Sequence, residues 1–177
     1  MLIIKQATIE EADTVRDFYC DLIDSMRDIE YKPAWKMGIY PTEQILRDAI
    51  KEKTLFMAVM DDHLVGTMIL NHNCAREYEN VEWRIKAEKE DIIIIHALAV
   101  SLSFQRKGIA RQMVSGAIDI CKKQSVRAIR LDVLHTNLPA EKLYLSMGFQ
   151  YIDTLKLFYE DTGLTDFKLF ELVLQEH

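Results

Sequence analysis

The chain has 177 residues, 28 acids against 22 lysines and arginines, and a formal net charge of −6. That balance, with a sequence pI near 5.4, argues against a nucleic-acid surface, because phosphates select basic faces. No stretch approaches the ~20 apolar residues of a membrane span. Cys20, Cys74 and Cys121 lack C-x-x-C spacing and suggest neither a disulfide framework nor a zinc site.

With 49% hydrophobic residues, one domain over 1–177 with a real core is expected, since ~150 residues bury about two-thirds of their unfolded surface. Met1-Leu2-Ile3-Ile4-Lys5 lacks the basic start and long apolar run of a signal peptide, so a reducing, cytoplasmic location is expected.

Leu2 to Ala7 reads as an opening strand, and Thr8-Ile9-Glu10-Glu11 has capping-box spacing. A helix follows to about Arg27, its stripe formed by Ala12, Val15, Tyr19, Leu22, Ile23 and Met26. Glu30 to Pro41 breaks periodicity with two prolines and a glycine, and carries Tyr31, Trp35 and Tyr40, which either cover the core edge or wall a ligand pocket. A second helix runs from about Thr42, a candidate N-cap, through Ile45, Leu46, Ala49 and Ile50. Thr54 to Met60 and Leu64 to Asn71 form a hairpin, with Gly66 suited to a bulge. His72, Asn73 and Cys74 have no second ligand pair at metal-binding spacing, so no metal is expected. From Arg76 to Glu90 periodicity is weak, and Val81 to Lys86 could extend as a strand.

Ile92 to Val100 is a β-branched run read as a central strand. Beyond it, Ala110, Met113, Val114, Ala117, Ile118 and Cys121 keep helical spacing, so a helix starts near Lys107 or Gly108. The loop Gln105-Arg106-Lys107-Gly108-Ile109-Ala110 therefore precedes unpaired N–H groups and the positive end of a helix dipole, a site suited to anions. Arg106, Lys107 and Arg111 reinforce it, with no acid between Ser101 and Gly116. Arg127 to Leu134 alternates as a strand. A short helix capped by Thr136 or Asn137 carries Ala140, Leu143, Tyr144 and Met147 inward and ends at Gly148. Phe149 to Tyr159 and Asp166 to Leu174 read as two strands joined through Glu160 to Thr165. This order predicts an α+β fold, an α/β three-layer arrangement with helices on a mostly antiparallel mixed sheet.

Gln105 to Ala110 resembles the R/Q-x-x-G-x-G/A pyrophosphate loop of the GNAT superfamily of N-acetyltransferases. Asn137 to Phe149, NLPAEKLYLSMGF, resembles the N-x-x-A-x-x-L-Y-x-x-x-G-F signature of the same family. The likeness covers Ile92 to Phe149 by motif and the flanks by element order. It implies a sheet splayed between the strands ending at Val100 and near Leu134, with acetyl-CoA in the gap. Leu98, Ala99 and Val100 would pair with pantetheine and the acetyl carbonyl, and a backbone N–H there would steady the oxyanion. Amides and side chains of Gln105, Arg106, Lys107, Gly108, Ile109, Ala110 and Arg111 would hold the pyrophosphate. Asn137 would bond the cofactor, cap its helix, or both.

The family's activity requires a neutral acceptor amine, and an amine with a pKa of ~10.4 is neutral in only about one molecule in a few thousand at pH 7. His96 stands where the family often places an acid or histidine that takes the proton; the other reading is a buried neutral histidine bonded within the sheet. Asp91 and Asp132 are weaker candidates. Tyr144 matches the tyrosine that protonates the departing thiolate. Trp35 and Tyr40 are the candidate acceptor-site residues. The resemblance thus implies direct acetyl transfer to a primary amine, and the alternative is a non-catalytic acyl-CoA-binding or regulatory module. Homodimer formation through the exposed terminal strands rests on the same analogy.

Overall fold

The computed structural model describes residues 1–174. Seven strands form one sheet, β1 (Leu2–Gln6), β2 (Leu55–Met60), β3 (His63–Asn71), β4 (Ile92–Val100), β5 (Ala128–Leu134), β6 (Gln150–Tyr159) and β7 (Gly163–Val173), in the order β1-β2-β3-β4-β5-β7-β6. Every pairing is antiparallel except β4 with β5. Four helices, α1 (Ala12–Ser25), α2 (Glu43–Lys51), α3 (Ile109–Lys123) and α4 (Leu138–Ser146), complete the α+β architecture.

The helices cover the two faces of the sheet. α3 and α4 pack on one face through Met113, Val114, Ala117, Cys121 and Tyr144, against Ile93, Ile95, Ile129, Leu131 and Val133. Full burial of Met113 and Val114 contributes roughly 1.5–3 kcal/mol for each side chain. The other face is shared: α1 and α2 cover Leu55, Met57 and Ile69, and the segment 75–91 covers Ile92, Ile94 and Ala128 with Tyr78.

β4 changes sides along its length. Ile93 and Ile95 face α3, yet beyond Ala97 it is the even-numbered Leu98 and Val100 that pack there, while Ala97 and Ala99 join the α1 face. The cause is a bulge: Thr67 pairs with Ala99 but Ile69 with His96, and Ala97 is left-handed at φ +50. The phenol of Tyr19 donates a 2.6 Å hydrogen bond to the Ala97 carbonyl, so α1 holds the bulge.

Local signals placed most elements. Thr42 caps α2 by accepting from the Ile45 N–H at 3.1 Å, and the Glu11 carboxylate accepts from the Thr8 N–H at 2.9 Å. Gly148, at φ +91, ends α4 where a residue lacking Cβ avoids strain. Two expectations need correction. Val81 to Lys86 is not a strand: the Glu171 carboxylate accepts from the Arg84 N–H at 2.9 Å, and Arg130 donates to the Ile85 carbonyl at 2.9 Å, binding that segment face-on to β5 and β7. The last hairpin is tighter than predicted, since β7 begins at Gly163. In α3 the buried residues are Ile109, Met113, Val114, Ala117 and Cys121, with Ile118 packed against the same core at partial burial, and Ile45 of α2 is exposed.

Candidate active site

β4 and β5 pair only at Ile92 with Ala128, Ile93 with Ile129 and Ile94 with Arg130. Beyond those positions the strands part, and a cavity of about 800 Å³ opens between them. Its walls take in Leu98, Ala99, Val100, Gln105, Arg106, Gly108, Ile109, Ala110, Arg111, Asn137 and Tyr144, together with His96, Trp35 and Tyr40. Of the predicted site residues only Lys107 is absent from this wall; its ammonium lies 4.7 Å over the ring of Phe104.

One end of the cavity is built for an anion. Arg106 and Gly108 are both left-handed, at φ +62 and +73, and the turn they make leads into α3. Gly108 is the N-cap and supplies no side chain to the first turn, and the first helical bond runs from the Gln112 N–H to its carbonyl at 3.0 Å. The N–H groups of Ile109, Ala110 and Arg111 therefore lack helical partners, at the positive end of the dipole. A Cβ placed on Gly108 would meet nothing within 4 Å, so the space before the helix is open. Arg111 also donates to the Ser146 hydroxyl at 2.7 Å, joining α3 to α4. Backbone donors, basic side chains and an open cradle fit a pyrophosphate.

Tyr144 lies across the cavity, buried and edge-on to Phe149 at 5.4 Å between ring centres. Among the described residues its hydroxyl makes no hydrogen bond, and it is not sealed from the cavity. A bond to a backbone carbonyl, the alternative for a purely structural tyrosine, is not made. Burial, with the charge of Asp132 adding to it, raises its pKa, so the phenol stays protonated. The Asn137 side chain does not cap α4, although Asn137 is the N-cap residue.

His96 Nε2–H donates to the Asn73 carbonyl at 2.8 Å and to Asn71 Oδ1 at 3.1 Å. That oxygen also accepts from the Asn73 N–H at 2.9 Å, which fixes its orientation. Nε2 therefore carries the hydrogen, and Nδ1 keeps its lone pair. Burial lowers the His96 pKa, while the charge of Asp132 and the bond to Asn73 act the other way.

Asp132, from β5, faces the same cavity. Its Oδ2 accepts from the Tyr78 hydroxyl at 2.7 Å and the Tyr159 hydroxyl at 2.9 Å. Burial raises its pKa, against these two phenols and His96. Tyr78 and Tyr159 stand 54 and 27 residues from Asp132 in the chain, and no spacing rule joins them. Asp91, the other acid weighed, lies outside the cavity wall. Among the described residues no group of three or more His, Cys, Asp or Glu is placed to hold a metal.

The sequence profile of the acetyltransferase (GNAT) family matches residues 20–149. The chain belongs to this family. An acetyltransferase family protein from Listeria monocytogenes 4b F2365 superposes with a TM-score of 0.76 at 18% identity, covering 98% of this chain and 95% of that one. A putative acetyltransferase from Salmonella typhimurium, solved with its cofactor acetyl-CoA, superposes with a TM-score of 0.72 at 14% identity, covering 100% and 96%. At such identities the likeness is one of fold. A ribosomal protein bS18-alanine N-acetyltransferase from Haemophilus ducreyi is 28% identical over 94 residues, or 53% of this chain and 65% of that protein. The chain thus spans less than two thirds of the length of the curated relatives it matches. Membership confirms the mixed, splayed sheet expected of a GNAT fold, and no helix among the described residues is long and apolar enough to cross a membrane.

Proposed function

We propose that this GNAT protein is an N-acetyltransferase that moves an acetyl group from acetyl-CoA directly to a primary amine of a small molecule, amino acid or peptide. The observation that carries the reading is one cavity joining the uncapped N-terminus of α3, the unpartnered Tyr144 hydroxyl and His96. The α3 amides with Gln105, Arg106, Gly108 and Arg111 would hold the pyrophosphate, with Lys107 contributing only its charge from beside Phe104. Acetyl-CoA would supply an electrophilic thioester carbonyl and a thiolate leaving group.

The chain's own groups divide the proton work. Nδ1 of His96 accepts a proton from the incoming ammonium, and the Asp132 carboxylate steadies the imidazolium. Tyr144 donates its phenolic proton to the departing sulfur. The backbone N–H groups of Leu98 and Val100, which point away from β3 at the edge where β4 leaves β5, are available to a developing oxyanion, while Ala99 pairs with Thr67. Trp35 and Tyr40 wall the acceptor side. The bS18-alanine activity named for the Haemophilus relative makes a peptide N-terminus one member of the acceptor class.

The test is thiol release from acetyl-CoA across a panel of amines and peptides, for wild type and Tyr144→Phe. Loss of the phenol should lower kcat by roughly 100-fold, with little change in the KM of acetyl-CoA. Full turnover by Tyr144→Phe, where chemistry limits the rate, would remove the acid role. Acetyl-CoA binding without release to any amine would instead mark a non-catalytic module.

A further inference from the structure

Among the described residues, two carboxylates on the acceptor side of the cavity, Asp132 and Asp161, form no salt bridge. Asp132 accepts two phenols at Oδ2, while Oδ1 has no hydrogen bond and is not sealed from the cavity. Asp161, in the turn between β6 and β7, is only 9% exposed. Among the described residues the ion pair buried on both sides is Arg130 with Glu171, and neither aspartate has such a partner. A buried carboxylate is costly without a counter-charge, so each of these sites favours a cation brought from outside.

The nearby lysines do not meet that demand. The Lys32 ammonium donates to the carbonyls of Met26 and Arg27, closing the end of α1. Lys36 is exposed; its charge and the N–H groups of the turn ease Asp161, yet burial dominates and its pKa is raised. The aromatic rings of Trp35, Tyr40 and Tyr159 line the same space, faces on which an ammonium group is attracted by the ring quadrupole. A second groove of about 790 Å³ continues from the cavity, and Asp161, Trp35 and Leu134 line both. The acceptor side thus offers one anion beside His96 and a second farther along the path.

We propose that the acceptor carries a second positive charge: the reacting amine sits at His96 and Asp132, and the remote cation sits against Asp161. This deepens the acetyltransferase reading and rests on it for the position of the reacting amine. The shared chemistry is an amine with a second ammonium or guanidinium group, as in a linear diamine or in a peptide whose N-terminal residue precedes a basic one.

Matched acceptor pairs test it. The first pair is a linear alkylamine and the α,ω-diamine of equal chain length; the second is alanyl-norleucine amide and alanyl-lysine amide. In wild type the doubly charged member of at least one pair should have the lower KM, by about tenfold, equivalent to about 1.4 kcal/mol; the pair that shows it identifies the source. Asp161→Asn should raise the KM of the charged member about tenfold more than that of its partner, abolishing the preference. Equal KM values within both pairs, or an equal rise within each pair in the variant, would overturn the proposal. Calorimetric titration of the same compounds separates it from turnover. Tighter binding of a charged member, lost in Asp161→Asn, supports the cation site even where no thiol is released; indistinguishable binding within both pairs overturns it. Thermal melting of Asp161→Asn confirms that the variant compared is folded.

Discussion

The hydroxyl of Tyr19 donates a 2.6 Å hydrogen bond to the carbonyl of Ala97, the left-handed residue at which β4 bulges. Tyr19 is fully buried and stacks edge-on to Trp35 at 5.7 Å, so α1, the bulge and the acceptor-side wall form one unit. Tyr19→Phe keeps the ring and orphans the carbonyl, which should cost about 1–3 kcal/mol. The bulge sets the parity of Leu98 to Val100, so kcat should fall as well as the melting temperature. Unchanged kcat with lowered stability would show that the clamp serves the fold alone.

Gly66 lies opposite Val100 on β3, beneath α3. A Cβ added there would come within 2.5 Å of the Met113 sulfur and 2.9 Å of the Ala99 carbonyl oxygen. The sulfur ends a flexible side chain and can move, whereas the carbonyl belongs to the strand that lines the cavity. Gly66→Ala should destabilise by about 1–3 kcal/mol and raise the KM of acetyl-CoA by displacing Ala99 and Val100. Urea unfolding and steady-state kinetics together check this; an unperturbed variant would mean that β4 yields without cost.

Legibility follows from sequence distance: Trp35, Tyr40, His96 and the proposed cofactor segments are marked locally, whereas the partners that fix Asp132 and the strap 75–91 are far away in the chain. The proposed pyrophosphate loop, Gln105 to Arg111, lies at one helix start, and Asn137 to Gly148 spans one short helix, so local spacing marks both. The strap 75–91 shows no period because its fixation comes from elsewhere: Glu171 and Arg130 hold its backbone, and Trp83 Nε1–H donates to the Tyr78 carbonyl at 2.9 Å. Asp161 reads as an ordinary turn residue until the fold buries it. The Ala97 bulge has no glycine to announce it, and the run of isoleucines before it suggests an unbroken strand.

The pair of Arg130 and Glu171 is the place to test whether the strap matters for the site. Arg130 Nε donates to Glu171 Oε1 at 2.8 Å, with side-chain exposures of 10% and 0%. The guanidinium also stacks over Trp83 at 4.2 Å. Glu171→Gln leaves a buried arginine without its counter-charge and should destabilise by about 3–5 kcal/mol. Loosening the strap should also free Tyr78 from Asp132 and raise the acceptor KM more than that of acetyl-CoA. If stability falls but the two KM values move together, strap and acceptor site are uncoupled.

His96 gives the last prediction its sign. Burial lowers its pKa below the ordinary 6.5, so Nδ1 stays unprotonated in the fold at pH values where a free histidine is already charged. The acid limb of kcat/KM should therefore lie below pH 6.5, and His96→Gln should remove it while lowering kcat by about 100-fold or more. Asp132 acts in the opposite direction on His96, since its negative charge favours the imidazolium. Asp132→Asn should consequently move the limb to still lower pH, besides weakening acceptor binding. Were Asp132 itself the base, the limb would vanish in Asp132→Asn and persist in His96→Gln. Stability provides an independent readout. The unfolded chain takes up a proton at His96 near pH 6.5, which the folded chain resists, so this residue begins to destabilise the fold only as pH falls below that value. Its cost grows until the lowered folded pKa is reached. Denaturant titrations of wild type and His96→Gln should diverge progressively below pH 6.5; parallel curves would place the charge elsewhere.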